Sequence, residues 1–196
     1  YRLYENNGVI KRSNISEHLK IINQDDRKKL RKLGVKFGRY HVFLFKLFKP
    51  SSVSLRILLW KSFNNKFLTL SPPTFGLNFL DGMKSANKDF MLLCGFEKFE
   101  DIYVRIDILE RLFLLILKSE KNVKDEVEVI PEMLNLLGCS KENFKRLLIR
   151  MDYRVYEKEK RFFIKYAPFK KNISKKYDKK DYSNNPFSVL NQLNLK

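Results

Sequence analysis

"PEMLNLLGCSKENFKRLLIRMDYRVYEKEKRFFIKY", residues 131–166, sets the expectation for the fold. Pro131 suits the first turn of a short helix, where its missing N–H does no harm. Gly138, Cys139 and Ser140 make a tight turn of small residues. Ser140 caps a second helix with Glu142 in its first turn. On that helix Phe144, Leu147 and Leu148 share the inner face, while Lys141, Lys145 and Arg146 share the outer one. "DYRVYE" and "RFFIKY" then read as a hairpin with "KEK" at its tip. Helix, small-residue turn, helix and hairpin is the order of a helix-turn-helix with a wing. Such a wing carries Arg154, Lys158, Lys160, Arg161 and Lys165. The same order also describes a small helical hairpin whose charges are merely solvated, because it occurs in folds that touch no nucleic acid.

The charge balance bears on that choice. The 196 residues hold 40 Lys and Arg against 22 Asp and Glu, a net charge of +18. Between residues 141 and 180 there are 15 Lys and Arg against five acids. An excess of this kind attracts polyanions, nucleic acid or acidic lipid. The abundance of Lys, Asn, Ile and Phe matches an AT-rich genome, but that bias does not remove Asp and Glu. With 44% apolar and 14% aromatic residues, the chain supports a real core and is not a disordered protein. Cys94 and Cys139 stand alone, without CxxC or clustered His, so a disulfide framework or zinc site is not expected and a reducing, cytoplasmic setting is. No apolar run reaches membrane-spanning length; "RLFLLILK" (111–118) is too short and flanked by charge. The chain opens on Tyr1 and reads as a piece of something longer.

Four segments follow from the patterning. Residues 1–70 read as a basic helical segment, with helical spacing over 16–33 (Leu19, Ile22, Leu30, Leu33) and Gly34 at its C-cap. "RYHVFLFKLF" after Gly38 fits either a strand or a buried helix. "VSLRILLWKSF", capped by Ser51 or Ser52, puts Leu55, Leu58, Leu59 and Phe63 on one stripe, the pattern of a core-facing side. Residues 71–102 read as a linker around Pro72 and Pro73, a short helix ended by Gly95 and a hairpin. Residues 103–167 form the winged-helix-like unit, with Asp107 capping an apolar central helix, and 168–196 a basic flexible tail. Phe187, Leu190 and Leu193 in that tail read as a short docking motif. "LLCGFEKFEDIYVRI" (92–106) is similar to "RMDYRVYEKEKRFFI" (150–164), as a duplicated helix-plus-wing unit would be. The fold class expected is mainly α with short β-hairpins, a helical accessory module with a winged-helix-like C-terminal half.

No phosphate-binding GxxxxGK(S/T) loop, GxGxxG, HExxH or GxSxG motif is present. His41 has no acidic or nucleophilic neighbour in sequence and reads as packed or phosphate-facing rather than as a general base. Asp25 and Asp26 open a helix against its dipole rather than bind metal. No catalytic residue, cofactor or metal site is expected in this chain.

"RKKLRKLGVKFGRYHVFLFKLFKP", residues 27–50, resembles a segment in the C-terminal half of alphaproteobacterial ATP-dependent helicases, relatives of the helicase subunit of the mitochondrial RNA degradosome. "YVRIDILERL" (103–112), "EMLNLLGCSKENFKRLLIRMDYR" (132–154) and "NNPFSVLNQL" (185–194) agree in order. The resemblance implies a nucleic-acid-binding region lying downstream of two motor lobes, with ATP and Mg belonging to the parent helicase. Arg27, Lys28, Lys29, Arg31, Lys32, Lys36 and Arg39 would line a strand-tracking groove of phosphate contacts. Phe37, Tyr40 and His41 would offer faces to bases, with Gly34 and Gly38 allowing close approach. Alternatively these aromatics are core and only the basic rim touches a ligand. The expected partners are single-stranded RNA or DNA, the motor lobes of the same polypeptide and a nuclease, with no membrane. The rival readings are a module docking on a helicase or nuclease partner, and a stand-alone winged-helix DNA-binding protein.

Overall fold

Three times along the chain a helix runs into a residue of positive φ, and that residue opens a hairpin. The computed structural model describes residues 1–64, 69–83, 86–120, 122, 125–158 and 161–167. The first unit comprises α1 (Arg2–Glu5), β1 (Val9–Lys11), α2 (Ser16–Ile21), α3 (Gln24–Lys32), β2 (Val35–Phe37) and β3 (His41–Leu44). The second comprises α4 (Pro50–Phe63), β4 (Phe79–Leu80), α5 (Lys88–Leu93), β5 (Phe96–Phe99) and β6 (Ile102–Arg105). The third comprises α6 (Ile106–Lys118), β7 (Val127–Glu128), α7 (Pro131–Leu137), α8 (Lys141–Arg150), β8 (Tyr153–Lys158) and β9 (Arg161–Tyr166).

Each unit closes an antiparallel three-stranded sheet in the same order, with its first strand paired to the last strand of the hairpin: β1-β3-β2, β4-β6-β5 and β7-β9-β8. The repeat extends to individual hydrogen bonds. Gly34, Gly95 and Asp152, with φ of 95°, 91° and 65°, turn the chain out of α3, α5 and α8. Glycine meets no Cβ penalty there, and the short Asp side chain tolerates the conformation. Their carbonyls accept the N–H of Phe45 (3.2 Å), Ile106 (2.9 Å) and Ala167 (2.9 Å), the residues that follow each hairpin. The helix before each hairpin is also the one with a side-chain N-cap. Asn23 accepts from the Asp26 N–H at 2.8 Å, Asn87 from Phe90 at 2.9 Å and Ser140 from Asn143 at 3.2 Å.

The described residues are 49% helix and 22% strand, so the chain is mixed α/β, and the hairpins expected from the sequence are parts of sheets. The sequence comparison of 92–106 with 150–164 sets Cys94 against Asp152, whereas the structure sets Gly95 there and adds a third copy at Gly34. The 16–33 pattern divides into α2 and α3, and Leu33 is exposed. "RYHVFLFKLF" resolves into β3 and a 3-10 turn over Phe45–Phe48. Asp107 does not cap α6; it is buried and takes Arg105 at 2.6 Å. The stripe expected to face the core on α4 is inverted. Val53 and Ile57 are buried, while Leu55, Leu58, Leu59 and Phe63 face solvent. No hydroxyl caps α4, which starts at Pro50.

The main core gathers Ile108, Leu109, Leu112 and Ile116 of α6 with Met133, Leu137, Phe144, Leu147, Leu148 and Ile164 of the third unit. A smaller cluster packs α4 on α5 and Tyr103, and another fills the first unit around Val42. Cys94 and Cys139 are both free thiols, and burial pushes each up to about 11. Among the described residues no helix is long and apolar enough to cross a membrane, and no cluster of His, Cys, Asp and Glu could hold a metal ion. Lys160 and the tail from 168, with its proposed docking motif, lie outside the described residues.

Candidate nucleic-acid interface

The first hairpin leans on α6, and the two enclose an open groove of about 780 Å³. The contact is built around one carboxylate. Glu110 of α6 is buried, and it accepts the backbone N–H of Arg39 (2.5 Å), Tyr40 (2.9 Å) and His41 (2.9 Å). Three donors converging on a carboxylate satisfy the turn between β2 and β3 and fix it against the helix. Gly38 is required here because a Cβ would collide with Glu110. The close approach that glycine permits at 38 is therefore to Glu110.

Arg12, Arg31, Lys36, Arg39 and Arg111 line the groove. Among the described residues none of the five is ion-paired with an acid. Apolar side chains lie between them: Phe37 and exposed Phe45 on one wall, Phe113, Leu114 and Leu117 on the other. The Arg31 guanidinium stands 5.8 Å from the Phe37 ring centroid, and Arg39 stands 5.6 Å from Phe113. Among the described residues the only acids lining it, Asp107 and Glu110, are buried and committed to Arg105 and to the hairpin amides. Five cations without acidic partners, of which Arg12 also donates to the Gly38 carbonyl at 2.8 Å, stand over aromatic and aliphatic surface and suit a chain of phosphates with flat bases.

The other site residues expected from the sequence divide into three groups. Lys28 and Lys32 lie exposed on α3, Lys28 within 3.3 Å of Asp25. Arg27 is half-buried and ties α3 to α2 by donating to the Leu19 carbonyl at 2.5 Å. His41 belongs to the interior, which corrects its reading as a base-stacking face, and Tyr40 is half-buried. The Tyr40 ring packs edge-on against Phe113 at 5.8 Å, and burial pushes its hydroxyl up. His41 is 2% exposed, with Nε2 2.9 Å from Glu97 Oε2 and Nδ1 3.6 Å from Glu110 Oε1. Burial alone would lower the imidazole, but the nearby Glu110 and Glu97 carboxylates outweigh it and hold the pKa above its ordinary value. Lys11 closes this network on Glu97 at 2.6 Å. Burial would raise Glu97, yet its bonds to His41 and Lys11 hold it below the usual carboxylate value.

In the third unit the basic residues are largely engaged. Arg146 takes Asp81 at 3.1 Å and Asp101 at 2.7 Å, and Arg150 pairs with Glu100, so α8 lies against the acidic tip of the second hairpin. Lys145 meets Glu157 at 3.8 Å, Lys158 meets Glu126 at 2.7 Å and Arg161 meets Glu128 at 3.5 Å. Lys141 lies over the Phe162 ring at 5.8 Å, and Arg154 is exposed. What sequence reasoning missed is the contribution of Arg12, Arg111 and Phe113, which are brought to the motif only by tertiary packing. One further signal was readable: residues 27–80 contain twelve Lys and Arg and no Asp or Glu. Compared with protein-family models, with curated proteins and with solved structures, the chain matches none.

Proposed function

We propose that this chain is a nucleic-acid-binding accessory region of an ATP-dependent helicase, built from three winged-helix-like units, and that it holds a single strand in the groove between the first hairpin and α6. The observation that carries this reading is the set of five cations without acidic partners over Phe37, Phe45 and Phe113. Arg12, Arg31, Lys36, Arg39 and Arg111 would contact phosphates, releasing counterions, while the apolar walls take bases without regard to sequence. The repeated strand order, with the first strand paired to the last wing strand, supports the winged-helix description. The helicase setting rests on the resemblance of residues 27–50 and of the three later segments. ATP and Mg would be bound by the motor lobes, and this chain alone should turn over no ATP.

Photo-crosslinking tests the placement. A single strand carrying 5-iodouracil or 5-bromouracil should crosslink to peptides containing Phe37, Phe45 or Phe113. Crosslinks confined to α8 and the third hairpin would reject the groove. A second reading, docking of the third unit on acidic protein surface, is favoured by one observation: Arg146, Arg150, Lys158 and Arg161 already hold carboxylates within this chain.

A further inference from the structure

We propose that the solvent face of α4 is a docking surface for a helix of a protein partner, apolar along one stripe and acidic at its flanks. This rests on features separate from the groove.

Leu55, Leu58, Leu59 and Phe63 are 57%, 65%, 61% and 89% exposed. They share one 14-residue helix, so they form a contiguous apolar patch of the kind that marks an interaction site. The opposite face is already used, because Val53 and Ile57 are buried and Trp60 packs on Phe90 at 5.7 Å. A helix apolar on both sides belongs in an interior, and α4 has only half of one.

The pattern on the free face identifies the occupant. Ser51, Leu55, Leu58 and Ser62 are all exposed and recur at i, i+4, i+7 and i+11, the spacing of a helix–helix seam. Large residues at the centre and serines at both ends suit a second helix crossing or running along it. No exposed residue of α4 is charged. A helix lying on a membrane surface carries Lys and Arg on its polar face, and a nucleic-acid contact needs cations in the contact itself; this face has neither. Arg56 points away from it, donating to the carbonyls of Asn7 and Leu93.

Charge around the patch selects the partner. Lys49, exposed just before the helix, lies within the run of residues 27–80 that contains no acid. A second copy would bring the same cations and another net charge of +18. One helix pair also falls short of the roughly 1,200 Å² that stable interfaces bury, so the pairing needs charge complementarity. Acidic flanks on the partner helix supply it.

The whole chain can be tested with fluorescently labelled synthetic peptides. Two helical peptides of roughly three heptads, with Leu at the a and d positions, differ only in having Glu or Lys elsewhere. The fluorescence anisotropy of the Glu peptide should rise saturably as the chain is added, and the Lys peptide should bind at least tenfold more weakly. The double variant Leu55→Ser, Leu58→Ser alters exposed positions and should keep the wild-type circular dichroism while losing at least tenfold in affinity for the Glu peptide. No saturable rise, equal binding of both peptides, or binding that survives the double variant would overturn the proposal. A dimer in sedimentation that the variant dissociates would assign the face to a second copy. Binding to anionic lipid vesicles that the variant abolishes would assign it to a membrane. Either result also overturns the proposal.

Discussion

The Glu110 carboxylate fills the space that a side chain at residue 38 would need, and the same carboxylate holds the three amides that follow. One acid on α6 thus positions the hairpin that forms the other wall of the groove. Gly38→Ala should destabilise the protein by about 2 kcal/mol, because the overpacked site must shift backbone or expel the carboxylate. Glu110→Ala should cost about 3 kcal/mol by leaving buried N–H groups without an acceptor. The two share one site, so the double variant should be more stable than the sum of the single losses implies. Denaturant unfolding measures all three, and strict additivity would mean that Gly38 and Glu110 are not coupled.

His41 makes stability depend on pH. Its folded pKa lies above the ordinary 6.5, so the protonated form contributes stability fully below about that pH, and the contribution is lost as pH rises through the elevated value. Glu97 has the opposite sign. Its pKa is held below the ordinary 4.5, so its contribution is present above that pH and is lost on acidification. Wild type should therefore lose unfolding free energy as pH rises above about 6.5, and His41→Asn should show a flatter profile there. Parallel profiles for the two proteins would contradict the charged network.

The three units make equivalent caps, so equivalent substitutions should have similar effects. Asn23→Ala, Asn87→Ala and Ser140→Ala should each cost about 1 kcal/mol. Ser51→Ala should have little effect on stability, since no side chain caps α4. A cap substitution without effect would remove that unit from the repeat.

The third unit was the most legible part of the sequence because each of its boundaries has a local chemical cause. Pro131 starts α7, Gly138 ends it in the left-handed region, and Ser140 starts α8 with the predicted bond. The first unit was hidden by length: β1 and β2 have three residues each, too few to show alternation. On α4 periodicity was uninformative, since Val53, Ile57 and Trp60 mark one face as apolar and the leucines mark the other. For the groove, residues 31–39 announced the cations. The opposite wall could not be read locally, because Arg39 and Glu110 lie 71 positions apart in the chain.

The basic residues of the two candidate faces should behave differently when removed. Lys36 has no acidic partner among the described residues, whereas Arg146 is held by Asp81 and Asp101. Fluorescence anisotropy with a mixed-sequence single strand should show a clear loss for Lys36→Ala and a smaller one for Arg146→Ala. The reverse order would move the interface to α8.

The salt dependence of single-strand binding tests the groove most directly. Each phosphate neutralised on a single strand contributes about −0.7 to the slope of log K against log salt. Replacing Arg31, Lys36 and Arg111 together by Ala should flatten that slope by about 2 and weaken binding of all sequences alike. A variant that binds more weakly with an unchanged slope, or with full wild-type affinity, would contradict a phosphate-tracking groove between the first hairpin and α6.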